Sequence, residues 1–217
     1  MPSLPPPLTL LTSPPAKSLY KTSVKSKVID HWEKHLRAES SSLTSLVYFK
    51  PEYMSLKQPH ALWKTCGSNP LEVNKAVVQA RMLSGRYRTD LLAFHWTNNP
   101  HGSCLILLCN SSETGSIEHL LLSCPVLVET RNRMMKLTYE VAEESPYLHH
   151  IISWVLEHPD RGILMQFLLD CSSLPIVIRM CQLYGQDLLN RLFYISRNWC
   201  YSIHRSRMTA LNLPQFR

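Results

Sequence analysis

Three cysteines and a histidine crowd one stretch of this chain. Cys104 and Cys109 bracket Leu-Ile-Leu-Leu, and His119 and Cys124 bracket Leu-Leu-Leu-Ser. The order is Cys-x4-Cys, nine intervening residues, then His-x4-Cys. Thiolate sulfur and neutral imidazole nitrogen hold Zn2+ in tetrahedral sites, and a site closed by four protein ligands is structural. His119 and Cys124 stand slightly more than a helical turn apart, so they converge if the helix ends at Cys124. Pro125 favours that end, because the residue before a proline is pushed out of the helical region. The polar run 110–116 lets the chain double back between the two halves. The same residues also suit a plainer structure. Residues 105–108 read equally as a buried strand with core cysteines at its ends, and His119 as a hydrogen-bonded core histidine. Spacing leaves both readings open, since x4 is at the loose end of knuckle spacings.

The elements that must position these residues read as helices. Residues 1–16 carry Pro2, Pro5, Pro6, Pro7, Pro14 and Pro15, which predicts a disordered Pro-rich leader. From Leu19 through Val24, Val28, Ile29, Trp32 and Leu36 the apolar residues recur mostly at three- and four-residue steps. Lysines at 17, 21, 25, 27 and 34 lie between them, giving a basic amphipathic helix that Ser40-Ser41-Ser42 ends. A short extended piece is expected at 46–49. Asn69-Pro70 is a helix start, with Val73, Val77, Ala80 and Leu83 inward, Lys75, Gln79 and Arg81 outward, and Gly85 as the break. A second short helix is expected through Leu91, Leu92 and Trp96, then a turn at 98–102. Beyond Cys124-Pro125 come helices with Val126, Leu127, Thr130, Met134 and Leu137 inward, then Leu148, Ile151, Ile152 and Val155, then 163–169 and 175–183. The last is the clearest: Leu188, Leu192, Ile195, Trp199 and Ile203 recur at helical steps. The expected fold is mostly α, a helical bundle with a small Cys-Cys-His-Cys zinc knuckle. Its divisions are a leader (1–16), a helical lead-in (17–100), the knuckle (101–125), a C-terminal helical bundle (126–209) and a tail (210–217).

The 217 residues are 45% hydrophobic, enough for a sizeable core, and the net charge of +7 favours anionic partners. Basic residues with interleaved aromatics flank the cluster: Arg81, Arg86, Tyr87, Arg88, His95, Trp96 and His101 before it, and Arg191, Tyr194, Arg197, Tyr201, His204, Arg205 and Arg207 on the last helix. Arginine forks onto phosphates and stacks on bases, and aromatic rings offer stacking platforms. Arg81, Arg86, Arg88, His95, Trp96, Arg197, Arg205 and Arg207 are therefore the candidate RNA or DNA contacts, with Lys64 beside them. A solvated charged face is the plainer alternative. Seven cysteines in no disulfide framework, with Cys66, Cys171, Cys181 and Cys200 in apolar surroundings, indicate a reducing compartment, nuclear or cytoplasmic. No signal peptide and no membrane-spanning segment are expected. There is no Gly-rich phosphate loop, no Gly-x-Ser-x-Gly elbow and no paired aspartates among Asp30, Asp90, Asp160, Asp170 and Asp187. Catalytic residues are therefore expected to be none, and no small-molecule substrate is expected.

Four groups of residues carry a resemblance. They are Val78-Gln-Ala-Arg-Met-Leu-Ser-Gly-Arg-Tyr-Arg-Thr-Asp-Leu-Leu92, His95-Trp96, Cys104-x4-Cys109, and Glu118-His119-Leu-Leu-Leu-Ser-Cys124-Pro125. Together they resemble the C-terminal part of non-LTR (LINE-type) retrotransposon endonuclease–reverse transcriptase polyproteins. The stretches 165–173 and 192–205 fit the same tail, so the similarity runs from about Leu19 to Met208. The resemblance implies that Cys104, Cys109, His119 and Cys124 ligate Zn2+ in a knuckle that handles template RNA and target DNA during target-primed reverse transcription. It also implies that the catalytic modules, which precede this region in the family, are absent here, and that the parent's reverse transcriptase core is a partner. One departure is that Leu107 and Leu108 stand where the family often has proline or a polar residue. The alternative expectation is a helical protein–protein interaction module, or a remnant, without zinc.

Overall fold

A computed structural model of the chain describes residues 17–43, 46–53, 58–90, 102–106, 109 and 113–211. Among them are eight α-helices and no strand. The one β interaction described is an isolated antiparallel bridge between Ser103 and Thr114. The mostly α expectation holds. The Pro-rich leader, the short helix expected through residues 91–96 and the tail from residue 212 lie outside the described residues. Two units are resolved, Met1–His60 and Ala61–Arg217.

The first unit is built on α1 (Lys17–Ser42). Its end falls at the triple serine, as expected, and for a visible reason. The Ser40 and Ser41 hydroxyls donate back to the Arg37 carbonyl and the Ser42 hydroxyl to the Glu39 carbonyl, competing with the helical ladder. Leu19, Tyr20, Val28, Trp32 and Leu36 are exposed. The stretch expected to be extended at 46–49 is instead a turn, closed by the Phe49 amide on the Leu46 carbonyl at 2.8 Å.

The second unit contains α2 (Ala61–Lys64), α3 (Pro70–Leu83), α4 (Val128–Ala142), α5 (Pro146–Glu157), α6 (Arg161–Asp170), α7 (Pro175–Tyr184) and α8 (Gln186–Ala210). The lead-in expected over 17–100 is thus not one piece, because α2 and α3 belong to the bundle. Helix α8 is its axis, packing on α3, α4, α6 and α7. All five residues of its expected stripe are buried. Phe193, Ser196, Cys200 and Met208 are buried as well, so α8 is covered on more than one side.

Helix α3 starts as its sequence says. The Asn69 side chain accepts from the Leu71 amide at 2.9 Å, Pro70 opens the first turn, and Gly85 leaves the helix at a φ of 64°. Its buried face is turned from the expected one. Leu83 is inward, but Ala76, Val78, Gln79 and Met82 replace Val73, Val77 and Ala80. Gln79 is tolerated there because its amide donates to the Leu168 carbonyl at 2.7 Å and to the Ser196 hydroxyl at 3.0 Å. In α4, Thr130 and Met134 are buried as expected, whereas Leu137 is exposed and Thr138 and Ala142 continue the inner face. All four residues expected inward on α5 are buried.

The stretch Arg161–Tyr184 is, by length and composition alone, apolar enough to cross a membrane. It is not one helix, however. A 3-10 turn at Cys171–Ser173 and Pro175 divide it into α6 and α7, and Met165, Phe167, Leu168 and Leu169 lie in the bundle core. The core is thus centred on α8. Leu192→Ala is expected to lower the unfolding free energy in urea by about 2–5 kcal/mol, and Leu137→Ala to change it by less than about 0.5 kcal/mol.

Candidate metal centre

The cluster assembles where α8 and α4 meet the irregular segment that precedes α4. Gly102 enters this segment at a φ of 59°, and the Ser103–Thr114 bridge with the Gly115 amide on the Gly102 carbonyl at 2.7 Å folds the chain back on itself. Cys104 lies beside the bridge. Cys109 follows a tight turn in which its amide donates to the Ile106 carbonyl at 2.9 Å. Ser116 then starts the next turn, its hydroxyl accepting from the His119 amide at 3.0 Å.

Residues His119–Ser123 wind as a π-turn. The Cys124 amide closes on the His119 carbonyl, five residues back, at 2.7 Å. This explains the loose His-x4-Cys spacing. A π-turn needs more residues per turn than an α-helix, so residues five apart return to the same side. Cys124 leaves the turn in an extended conformation before Pro125, as the proline requires.

One ligand atom from each of Cys104, Cys109, His119 and Cys124 lies within 4.8 Å of the others. The Cys109 and Cys124 sulfurs are 3.8 Å apart, and Cys109 Sγ is 3.4 Å from His119 Nε2. A tetrahedral site with metal–sulfur bonds of about 2.3 Å and metal–nitrogen bonds of about 2.0–2.1 Å has edges of about 3.8 Å and 3.6 Å. The sulfurs are well beyond the roughly 2.05 Å of a disulfide, and all seven cysteines are free. This group can hold a metal ion. The reading of a plain buried strand has no support among the described residues, although Leu107 and Leu108 lie outside them.

The surroundings are those of a ligand set. His119 is buried, and its Nδ1 is 2.8 Å from the Glu113 carboxylate. That contact orients the ring with Nε2 toward the sulfurs and fixes the tautomer that leaves its lone pair free. A hydrogen bond from Cys104 draws the Cys124 thiol down to about 5, while Cys104, as the partner keeping its proton, is pushed up. By contrast, burial pushes the Cys171, Cys181 and Cys200 thiols up. Cys66, Cys171 and Cys200 are buried and Cys181 half-buried, in keeping with the reading of these four as packing residues. Half-buried Arg131, on the first turn of α4, has a buried Nη1 without a hydrogen-bond partner. Burial lowers its proton affinity and the charge of Cys124 raises it.

Asp90 ties this segment to the bundle, a role that sequence reading missed. The residue is 3% exposed, its side chain accepting from the Leu105 amide at 3.0 Å through Oδ2 and from Arg207 of α8 at 2.9 Å through Oδ1. A Cβ on Gly115 would come within 2.7 Å of the Asp90 Cβ, so only glycine lets the two segments approach this closely. Tyr87 completes the group. Its ring lies 5.6 Å from the Arg207 guanidinium carbon, and its hydroxyl meets His204 Nδ1 at 2.9 Å. An acidic residue two positions after Arg86-Tyr87-Arg88 was the available signal for an internal ion pair.

The candidate nucleic-acid residues divide into three sets. Arg81, Arg86, Arg88 and Arg205 are exposed. His95 and Trp96, like His101, lie outside the described residues. Arg197 and Arg207 are corrected: neither is on an outer face. Arg197 is 2% exposed and donates to the Thr65 hydroxyl at 2.7 Å, the Thr65 carbonyl at 3.0 Å and the Leu62 carbonyl at 3.4 Å. Arg207 is 5% exposed and held by Asp90. Guanidinium groups engaged inside the bundle are not presented to phosphates. Arg191 pairs with Glu144.

Removing one partner of the buried pair strands the other charge. Asp90→Ala is expected to cost about 3–5 kcal/mol in urea unfolding, and Asp90→Leu combined with Arg207→Met far less. His204 supplies a pH dependence. Desolvation, then the charges of Arg207, Arg81 and Arg205, hold its imidazole below its usual value of 6.5. The folded state therefore binds fewer protons there than the unfolded chain. This contribution is intact above about pH 6.5 and is lost as pH falls through that value and the lower folded one. The urea midpoint should drop between pH 7.5 and 5.5, and the drop should shrink in His204→Gln.

No family model, no curated protein and no solved structure matches the chain.

Proposed function

We propose that the chain is a zinc-stabilised helical module that binds RNA or DNA and is non-catalytic by itself. The observation that carries the reading is the convergence of Cys104, Cys109, His119 and Cys124 within 4.8 Å, with the Cys109–Cys124 and Cys109–His119 edges close to those of a tetrahedral Zn2+ site. Three thiolates and one neutral imidazole around Zn2+ leave a net charge of about −1, which the underpaired Arg131 beside Cys124 is placed to offset. Four protein ligands leave no open position, so the metal's contribution is folding energy.

Nucleic-acid binding is supported by the exposed Arg81, Arg86, Arg88 and Arg205. Arg86 and Arg88 flank Tyr87, which is anchored to α8. Arg81 and Arg205 both act electrostatically on His204 of α8, so all four belong to one end of the bundle. The resemblance to the zinc-knuckle tail of LINE-type polyproteins points the same way. On that reading the reverse transcriptase core of a parent element is the protein partner, and the work is target-primed reverse transcription. Seven free thiols suit the reducing nucleus or cytoplasm. The second reading, a protein–protein interaction module, is favoured by the exposed apolar residues of α1, including Leu19 and Trp32.

Native mass spectrometry of the purified chain tests the metal. One zinc per chain is expected, absent from Cys104→Ser and Cys124→Ser. Glu113→Gln should weaken zinc binding by about 10- to 100-fold through its loss of hold on His119. A well-folded chain without zinc would move the reading to the interaction module. Anisotropy titrations with labelled RNA should show affinity falling steeply as salt rises, because neutralised phosphates release counterions. Salt-independent binding would contradict the nucleic-acid reading.

A further inference from the structure

A groove of about 580 Å3 runs between α4 and α8, lined by Arg133, Tyr201, Ser202, Arg205, Ser206 and Thr209, with Ala210 at its end. No carboxylate appears in its lining among the described residues. Arg133 and Arg205 are exposed, and they come from different helices, so a ligand lying in the groove has a cation on either side. Between the helices the Thr130 and Ser206 hydroxyls share a 2.7 Å hydrogen bond, which holds the floor of the groove together. Tyr201, one turn before Arg205 on α8, is half-buried, and its ring lies 6.2 Å from that of His204. Two guanidinium groups, the Ser202 hydroxyl and a partly open aromatic ring together suit a phosphodiester chain with an accessible base, while the Thr209 hydroxyl donates to the Arg205 carbonyl at 3.1 Å. Arginine pairs with phosphate oxygens by a planar fork, a serine hydroxyl donates to the same oxygens, and a tyrosine face stacks on an unpaired base.

We propose that the α4–α8 groove binds a single strand of nucleic acid, with Arg133 and Arg205 on successive phosphates and Tyr201 stacked on a base. The proposal rests on the nucleic-acid reading above and adds to it a place and a strandedness. Arg133 is a residue that reading did not include. A duplex keeps its bases paired and stacked, so it offers Tyr201 nothing and uses only the charges. A single strand uses both.

The test is a titration of the zinc-loaded full chain against a fluorescein-labelled oligouridine strand over a range of salt. Arg133→Ala and Arg205→Ala should each weaken binding by about threefold or more and each reduce the salt slope by about 0.7, the value for one single-strand phosphate. Arg205→Lys should keep the salt slope. Tyr201→Ala should weaken binding by about tenfold at an unchanged salt slope, and Tyr201→Phe should restore it, which separates stacking from charge. Arg133 and Arg205 are exposed and Tyr201 is outside the core, so thermal unfolding of each variant should match the parent chain and exclude a folding defect.

Oligouridine binding that is unchanged in both arginine variants but lost in Arg86→Ala with Arg88→Ala would place the contact elsewhere. That result would overturn the groove and leave the broader reading standing. No binding of any strand at low salt would overturn both. Equal affinity for a duplex, or full displacement by polyglutamate of matched charge, would also overturn the proposal, the latter in favour of an acidic protein partner.

Discussion

The irregular segment before α4 depends on one buried carboxylate. Among its described residues this stretch has a single β-bridge and a few turn hydrogen bonds, and it carries Cys104 and Cys109. Asp90 gives it a fixed place by accepting the Leu105 amide on one oxygen and Arg207 on the other. An unpaired carboxylate at 3% exposure would be costly, and so would an unpaired guanidinium at 5%. Each is tolerable only because the other is there, and the pair holds only while the segment and α8 remain together. Tyr87 extends the constraint to the Arg86–Arg88 loop through its contacts with Arg207 and His204. The candidate metal ligands, the basic loop and the end of α8 therefore share one anchor.

The anchor alone does not bring four ligands together. Cys104 and Cys109 are placed by the fold-back, and His119 and Cys124 by the π-turn. Such turns are rare because their hydrogen bonds are poorer than those of an α-helix, and they recur where function demands the geometry. Here the geometry presents an imidazole and a sulfur on the same side, five residues apart. The Glu113 contact would be of small value to a histidine that served only to fill the core, since Glu113 is itself largely exposed. As an orienting partner for a metal ligand its placement is explained.

Much of this was legible in the sequence, and the failures have physical causes. Helix ends were readable where short-range chemistry sets them, as at Asn69-Pro70 and at the triple serine. The α5 and α8 faces were readable because their apolar residues recur without a competing pattern. The α3 face was misread because Gln79 was assigned outward on polarity. Its burial depends on the Leu168 carbonyl and the Ser196 hydroxyl, partners remote in sequence. The ligand set was visible as spacing, but the π-winding that reconciles His-x4-Cys with convergence is not encoded in any periodicity. Asp90 passed as one scattered aspartate because its partners, Leu105 and Arg207, become neighbours only in the folded chain.

Arg197 and Arg207 show why net charge overstates a binding surface. Both sit on the last helix among residues with every sign of an exposed basic stripe. Yet α8 is the axis of the bundle and has little outer face to offer. Its periodicity places Arg197 against the carbonyls at the end of α2 and Arg207 against Asp90, where each satisfies polar groups that would otherwise be buried alone. What remains outward on α8 is the narrow strip through Tyr201 and Arg205. Because that strip is narrow, a cation on a neighbouring helix is needed to make it a two-sided site, and Arg133 of α4 occupies that position. The same packing that withdraws two arginines from solvent thus confines the remaining charge of α8 to its border with α4.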